Sequence, residues 1–153
     1  MLKSALLSKF RWMAGAVLLL ATAASHAVDF KTVGANPVIL YDAPSAKGGK
    51  LYVAPRGMPL EVVLSYGEWV KVRDASGEMA WTEAKGLSAK RNVVARAANL
   101  KVRASPDDTA SAIILVDKGV LLEMSEQPSS GWVKVRHKDG QSGYVKTSEV
   151  WGL

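Results

Sequence analysis

WVKVR at residues 69–73 recurs as WVKVR at residues 132–136. The first copy runs on into DASGEMAW and the second into HKDGQSGY, so each leads through a Gly-containing turn to an aromatic residue. Side chains alternate across a strand, which puts Val70 and Val72 on one face and Trp69, Lys71 and Arg73 on the other. Val133 and Val135 stand in the same way against Trp132, Lys134 and Arg136. One apolar and one amphipathic face describe a half-buried strand. DASGE and HKDGQ read as tight hairpin turns, with Gly77 and Gly140 adopting a positive φ at little cost.

The match extends outward from this strand. Gly77 falls on Gly140, Trp81 on Tyr144 and Leu87 on Val150, all 63 positions apart. Upstream, Arg56-Gly57 falls on Lys118-Gly119 and Leu60-Glu61-Val62 on Leu122-Glu123-Met124, 62 positions apart. Ala43-Pro44 falls on Ala104-Ser105 at 61. The offset drifts where loops differ: SYGEW in one copy is EQPSSGW in the other. Constancy in strands with drift in loops is the mark of a duplicated domain. PLEVVLSY (59–66) and VLLEMSE (120–126) are further β-prone runs, and turn signals return about every ten residues with no helical period between them. The expected class is all-β, two small sandwiches or barrels in tandem.

Residues 1–27 stand apart. Lys3, Lys9 and Arg11 precede an apolar stretch of about a dozen residues, and Ser25-His26-Ala27 supplies small residues at a cleavage site; this order describes a secretory signal peptide, expected as a helix ahead of the two barrels. The apolar run is short of the roughly 20 residues that span a bilayer, so no membrane span is expected after cleavage. The expected units are then 28–88, a connector at 89–98 and a second unit at 99–153, with VVARA in the connector a candidate extra strand of the second barrel. Without Lys3, Lys9 and Arg11 the 20 basic side chains become 17 against 14 acidic, and the net charge falls from +6 to +3. An exported chain of that modest charge, with no concentrated basic run, is not expected to bind nucleic acid. The localisation expected is exported, periplasmic or extracellular.

The chain has no cysteine. That excludes disulfides, thiolate metal sites and a cysteine nucleophile, and leaves stability to packing. His137 is the one histidine after residue 27 and sits in a hairpin turn, where a solvated side chain is the ordinary outcome. Asp107-Asp108 and Asp139-Gly140 lack the spacing of a calcium loop and read as turn acids. No Gly-rich phosphate loop is present. No catalytic residue, metal or cofactor is expected, and the chain is expected not to be an enzyme.

NLKVRASPD, KGV, GWVKV and GYV in the second copy together resemble the bacterial Src-homology-3 (SH3) domain. That family's pattern of Leu-x-Val-Arg-x-x-Pro, Lys-Gly, Gly-Trp-x-x-Val and Gly-Trp/Tyr-Val falls on Leu100, Val102, Arg103 and Pro106; Lys118 and Gly119; Gly131, Trp132 and Val135; Gly143, Tyr144 and Val145. The first copy keeps Pro44, Gly57, Trp69, Val72, Gly77 and Trp81. It departs at VILYDAP, and has Ala80 where Gly143 stands. The resemblance implies a five-stranded barrel for each copy and a binding role, in attachment to cell-wall peptide or to partner proteins of the envelope.

Candidate ligand-binding residues are therefore Trp132, Lys134 and Arg136, with Trp69, Lys71 and Arg73 in the first copy. A tryptophan beside two cations on an outward face makes a shelf for peptide or sugar. The competing role for the same tryptophans, and for Trp81 and Tyr144, is to close the end of a small barrel. Arg103 is expected to pair with an acid of its own barrel, and Trp151 to pack the tail onto the second. Two ligand classes stay open: cell-wall peptidoglycan peptide, or an envelope protein bound at an edge strand or groove.

Overall fold

The computed structural model describes residues 27–153. The signal-peptide reading, including its expected helix, falls outside the described residues. Among the described residues fourteen strands form two antiparallel sheets of seven. The first holds β1 (Asp29–Val33), β2 (Val38–Tyr41), β3 (Lys50–Ala54), β4 (Pro59–Tyr66), β5 (Trp69–Arg73), β6 (Met79–Glu83) and β7 (Leu87–Ser88). The second holds β8 (Asn92–Ala95), β9 (Leu100–Arg103), β10 (Ala112–Val116), β11 (Leu121–Met124), β12 (Trp132–Arg136), β13 (Ser142–Lys146) and β14 (Val150–Trp151). The strand orders are β3-β2-β6-β5-β4-β1-β7 and β10-β9-β13-β12-β11-β8-β14, the same arrangement written twice.

The duplicated pentapeptide is β5 and β12, and both alternate as expected. Val70, Val72, Val133 and Val135 are each at most 5% exposed, while their neighbours face outward. Each unit closes on its own core. Val33, Leu40, Leu60 and Val72 belong to the first, and Val93, Val102, Leu122 and Val145 to the second. Gly77 and Gly140 turn their hairpins with φ of +92° and +97°.

Two departures from the sequence reading concern strand count and boundary. Each sheet has seven strands where the resemblance implies five, the additional pieces being a leading strand (β1 or β8) and a two-residue closing strand (β7 or β14). The connector is Ala89 to Arg91, much shorter than 89–98. Asn92–Ala95 alternates half-buried and buried, and the burial of Val93 and Ala95 in the second core makes it a strand. It pairs with β11 and with β14.

The leading strands also carry the junction between units. Asn92 donates from its backbone N–H to the Thr32 hydroxyl at 3.3 Å, and from Nδ2 to the Gly57 carbonyl at 2.9 Å. Phe30 is 7% exposed although it lies outside the first core cluster. Trp151 covers it edge-on at 4.9 Å, and the Arg91 guanidinium lies 5.6 Å from its ring. Arg91 also donates to the Gly152 carbonyl at 2.8 Å. Gly152 has φ of +120°, and a Cβ there would stand 2.7 Å from the Asn92 carbonyl oxygen, so no other residue fits without displacement. Trp151 thus pairs with the second sheet through its backbone and with the first unit through its ring.

Candidate functional site

The six candidate residues lie on the outer faces of β5 and β12, where cross-strand register decides their company. In the first unit Lys71 is opposite Trp81, and Trp81 is opposite Tyr41. The Lys71 Nζ lies 5.9 Å from the Trp81 ring centre, within cation–π range. Tyr41 stands edge-on to Trp69 at 5.5 Å, and Tyr66 edge-on to Trp81 at 6.5 Å. Trp69 is opposite Glu83. Tyr66 is 66% exposed, so this aromatic strip is open to solvent at one end.

In the second unit Lys134 is opposite Tyr144, and Tyr144 is opposite Arg103. Trp132 is opposite Lys146. Lys134 reaches the Tyr144 ring and Lys146 the Trp132 ring, each at 5.9 Å. Both lysines also reach acids, Lys134 to Glu126 at 3.3 Å and Lys146 to Asp108 at 2.5 Å. The acids are well exposed, so these pairs are weak and a ligand carboxylate can exchange with them.

Arg73 and Arg136 behave alike and differ from the lysines. Arg73 Nη1 donates to both Glu61 oxygens, at 3.2 and 3.0 Å. Arg136 Nη2 donates to Glu123 at 3.1 Å. Each arginine ties its strand to the preceding one in the sheet. The structure therefore brings Trp132 and Lys134 together with Tyr144 and Lys146, while Arg136 lies apart, in a cleft between the two units.

Among the described residues Arg103 has no carboxylate within 4.0 Å; its guanidinium donates to the Ala110 carbonyl at 2.8 Å and ties down the loop after β9. His137 is not freely solvated, its side chain being 15% exposed and lying in the same cleft as Arg136. Its counterpart in the first unit is Asp74, which is 7% exposed. Asp74 accepts hydrogen bonds from the Tyr52 hydroxyl at 2.5 Å, from the Ser76 hydroxyl at 2.6 Å, and from the Ser76 and Glu78 backbone N–H groups. Burial pushes the Asp74 carboxyl up, but these hydrogen bonds outweigh it and hold the carboxyl below its usual value. Burial and the neighbouring carboxylate push the Tyr52 hydroxyl well above the usual tyrosine range. The pair organises a turn and is not poised for proton transfer near neutral pH.

Beside the outer faces lie two clefts at corresponding positions. The one in the first unit, about 560 Å³, is lined by Pro37, Tyr41, Thr82, Glu83 and Lys85 among others. Its counterpart, about 210 Å³, is lined by Asn99, Lys101, Arg103, Lys146 and Glu149. Among the described residues no three His, Cys, Asp or Glu side chains gather as metal ligands. No helix among them is long and apolar enough to cross a membrane.

Several solved structures resemble this backbone in part. NlpC2 from Trichomonas vaginalis matches with 11% identity over 83% of this chain and 49% of its own, at a TM-score of 0.38. NlpC1 from the same organism matches with 13% identity over 90% and 50%, also at 0.38. An NlpC/P60 family protein from Bacillus cereus matches with 13% identity over 82% and 56%, at 0.36. The chain thus spans about half the length of each. No curated protein matches the chain. The bacterial SH3 domain family matches twice, over residues 34–88 and 96–152, each match beginning just after a leading strand. Those two matches span most of the chain, which therefore belongs to the bacterial SH3 domain family, a family of non-catalytic binding modules.

Proposed function

We propose that this protein is an exported binding module without enzymatic activity, and that its second unit binds cell-wall peptide on the outer face of β12 and β13. The observation that carries this reading is the pairing of Trp132 with Lys146 and of Tyr144 with Lys134 on one half-exposed face. Flat rings take up peptide planes by stacking, and ammonium groups beside them pair with the carboxylates of a wall peptide. The basic, apolar, small order of residues 1–27 supports export. The test is co-sedimentation of the protein with purified peptidoglycan sacculi at low and moderate salt, beside a folded Trp132→Ala variant. Wild type in the pellet with the variant left in solution supports the reading. Wild type in the supernatant at both salt concentrations overturns it.

One observation favours a second reading, an envelope protein as partner. The edge strands β3 and β10 expose Leu51 and Val53, and Ile113 and Leu115, at 44–60%. An edge with unpaired backbone groups and alternate apolar side chains accepts an added strand. On this reading Leu115→Lys removes partner binding while Trp132→Ala leaves it intact.

A further inference from the structure

A cleft of about 780 Å³ runs between the two units, and both contribute to it. Arg56 enters from the turn before β4, Lys90 from the connector, and Arg136, His137 and Lys138 from the end of β12 and its hairpin turn. Leu121 and Leu122 supply apolar lining. Four cations thus line the cleft, with Glu123 as the only carboxylate among its lining residues.

Glu123 is already shared. Lys90 reaches it at 3.0 Å and Arg136 at 3.1 Å, and these hydrogen bonds hold its carboxyl below the usual carboxylate range. Arg56 and Lys138 have no carboxylate within 4.0 Å among the described residues. They belong to different units, so neither unit alone presents both. The junction through Asn92 and Phe30 holds the two walls together. A cleft in which cations outnumber carboxylates raises the local concentration of anions, most of all at low ionic strength.

We infer that this cleft is a site for an organic dicarboxylate, with one carboxylate at Arg56, the other at Lys138, and the carbon chain between them over Leu121. The guanidinium fork of Arg56 suits a planar carboxylate. A compact monoanion meets one of the two cations, not both. Arg136 is shared with the outer face of β12, whereas Arg56 and Lys138, the two carboxylate contacts, lie off that face.

The test is an NMR titration of the ¹⁵N-labelled protein at low ionic strength with glutarate, butyrate and inorganic phosphate. Glutarate is expected to shift the amides of Arg56, Leu121 and Lys138 and to bind about tenfold more tightly than butyrate, the worth of one further charge contact. Arg56→Ala and Lys138→Ala should each bring glutarate down to the butyrate level, while Lys47→Ala, outside the cleft, changes nothing. Glu123→Gln should tighten glutarate about threefold, because Lys90 and Arg136 are then released from a full negative charge. A purely structural role for Glu123 gives the opposite sign. Equal binding of glutarate and butyrate, phosphate binding as tight as glutarate, or weaker binding in Glu123→Gln overturns the assignment.

Discussion

Tyr41 in the first unit and Arg103 in the second occupy the same place beside the return strand, each opposite an aromatic, Trp81 or Tyr144. The same exchange recurs around them. Glu83 stands opposite Trp69, whereas Lys146 stands opposite Trp132. Tyr66 lies against Trp81, while the corresponding loop of the second unit brings Glu126 to Lys134. One face is a strip of four rings with Lys71 over Trp81, and the other a pair of rings each met by a lysine. Yet the strand beneath both is WVKVR. The duplicated pentapeptide is kept by what it does for the sheet: its valines fill a core and its arginine pins the preceding strand through Glu61 or Glu123. Chemistry at the surface has changed in the neighbouring strands, which the repeat does not constrain.

The largest effect that sharpens this comparison is in the cores. Leu60 and Leu122 occupy corresponding positions and are at most 1% exposed. Leu60→Ala and Leu122→Ala should each cost about 3 kcal/mol in denaturant melts, the usual range for a buried leucine. If the junction couples the units, either variant lowers one shared transition; two separated transitions break the equivalence of the units.

Next is the glycine that the first unit lacks. A Cβ on Gly143 would stand 2.5 Å from the Arg103 carbonyl oxygen and 2.8 Å from a Val102 methyl. Gly143→Ala should therefore cost about 1–3 kcal/mol by overpacking. The reverse change, Ala80→Gly, should cost only about 0.5–1 kcal/mol, through backbone entropy. Equal losses would mean that β9 and β2 approach their neighbours alike.

A pH dependence separates the two hairpin turns. The folded-state pKa of Asp74 lies below its unfolded value, so its contribution is present above the unfolded value, near pH 4, and is lost as pH falls through the folded value. At the same place in the second unit stands His137, whose Nδ1 lies 3.4 Å from the exposed Asp139 carboxylate. Stability measured between pH 2 and 6 should fall toward acid, and Asp74→Asn should flatten that slope. A slope unchanged by Asp74→Asn assigns the acid sensitivity elsewhere. The smallest difference is between the arginines. Glu61 is more covered than Glu123, at 19% against 32%, and Arg73 more than Arg136. Arg73→Ala should cost about 1 kcal/mol and Arg136→Ala about half that, read in thermal melts.

The sequence carried the fold further than the site. Strand alternation, the two glycine turns and the drifting offset are local signals, and β5, β12 and both hairpins stand where those signals place them. VVARA reads as a candidate extra strand of the second barrel, and Asn92–Ala95 is one, although the expected connector is too long because four residues between two arginines carry little alternation. Contacts across the junction were hidden altogether, since Phe30, Thr32 and Gly57 meet Asn92 and Trp151 only after both units have folded. Arg103 shows a subtler limit. Its partner is the Ala110 backbone carbonyl, an atom that every residue carries and no sequence marks. The cleft that joins Arg56 to Lys138 is assembled from non-equivalent positions of the two repeats and so leaves no trace in the comparison of one with the other.

The connector of three residues, Ala89 to Arg91, together with the junction contacts, sets the interval between the two outer faces. A flexible tether lets a second module bind at any spacing that its contour can reach, with an effective concentration that falls as the tether lengthens. Here the interval is set by Asn92 and Trp151 rather than by chain length. Were the first unit's face to bind as we propose for the second, the pair would act as a gauge, favouring a polymer whose repeats match that interval over one with any other spacing.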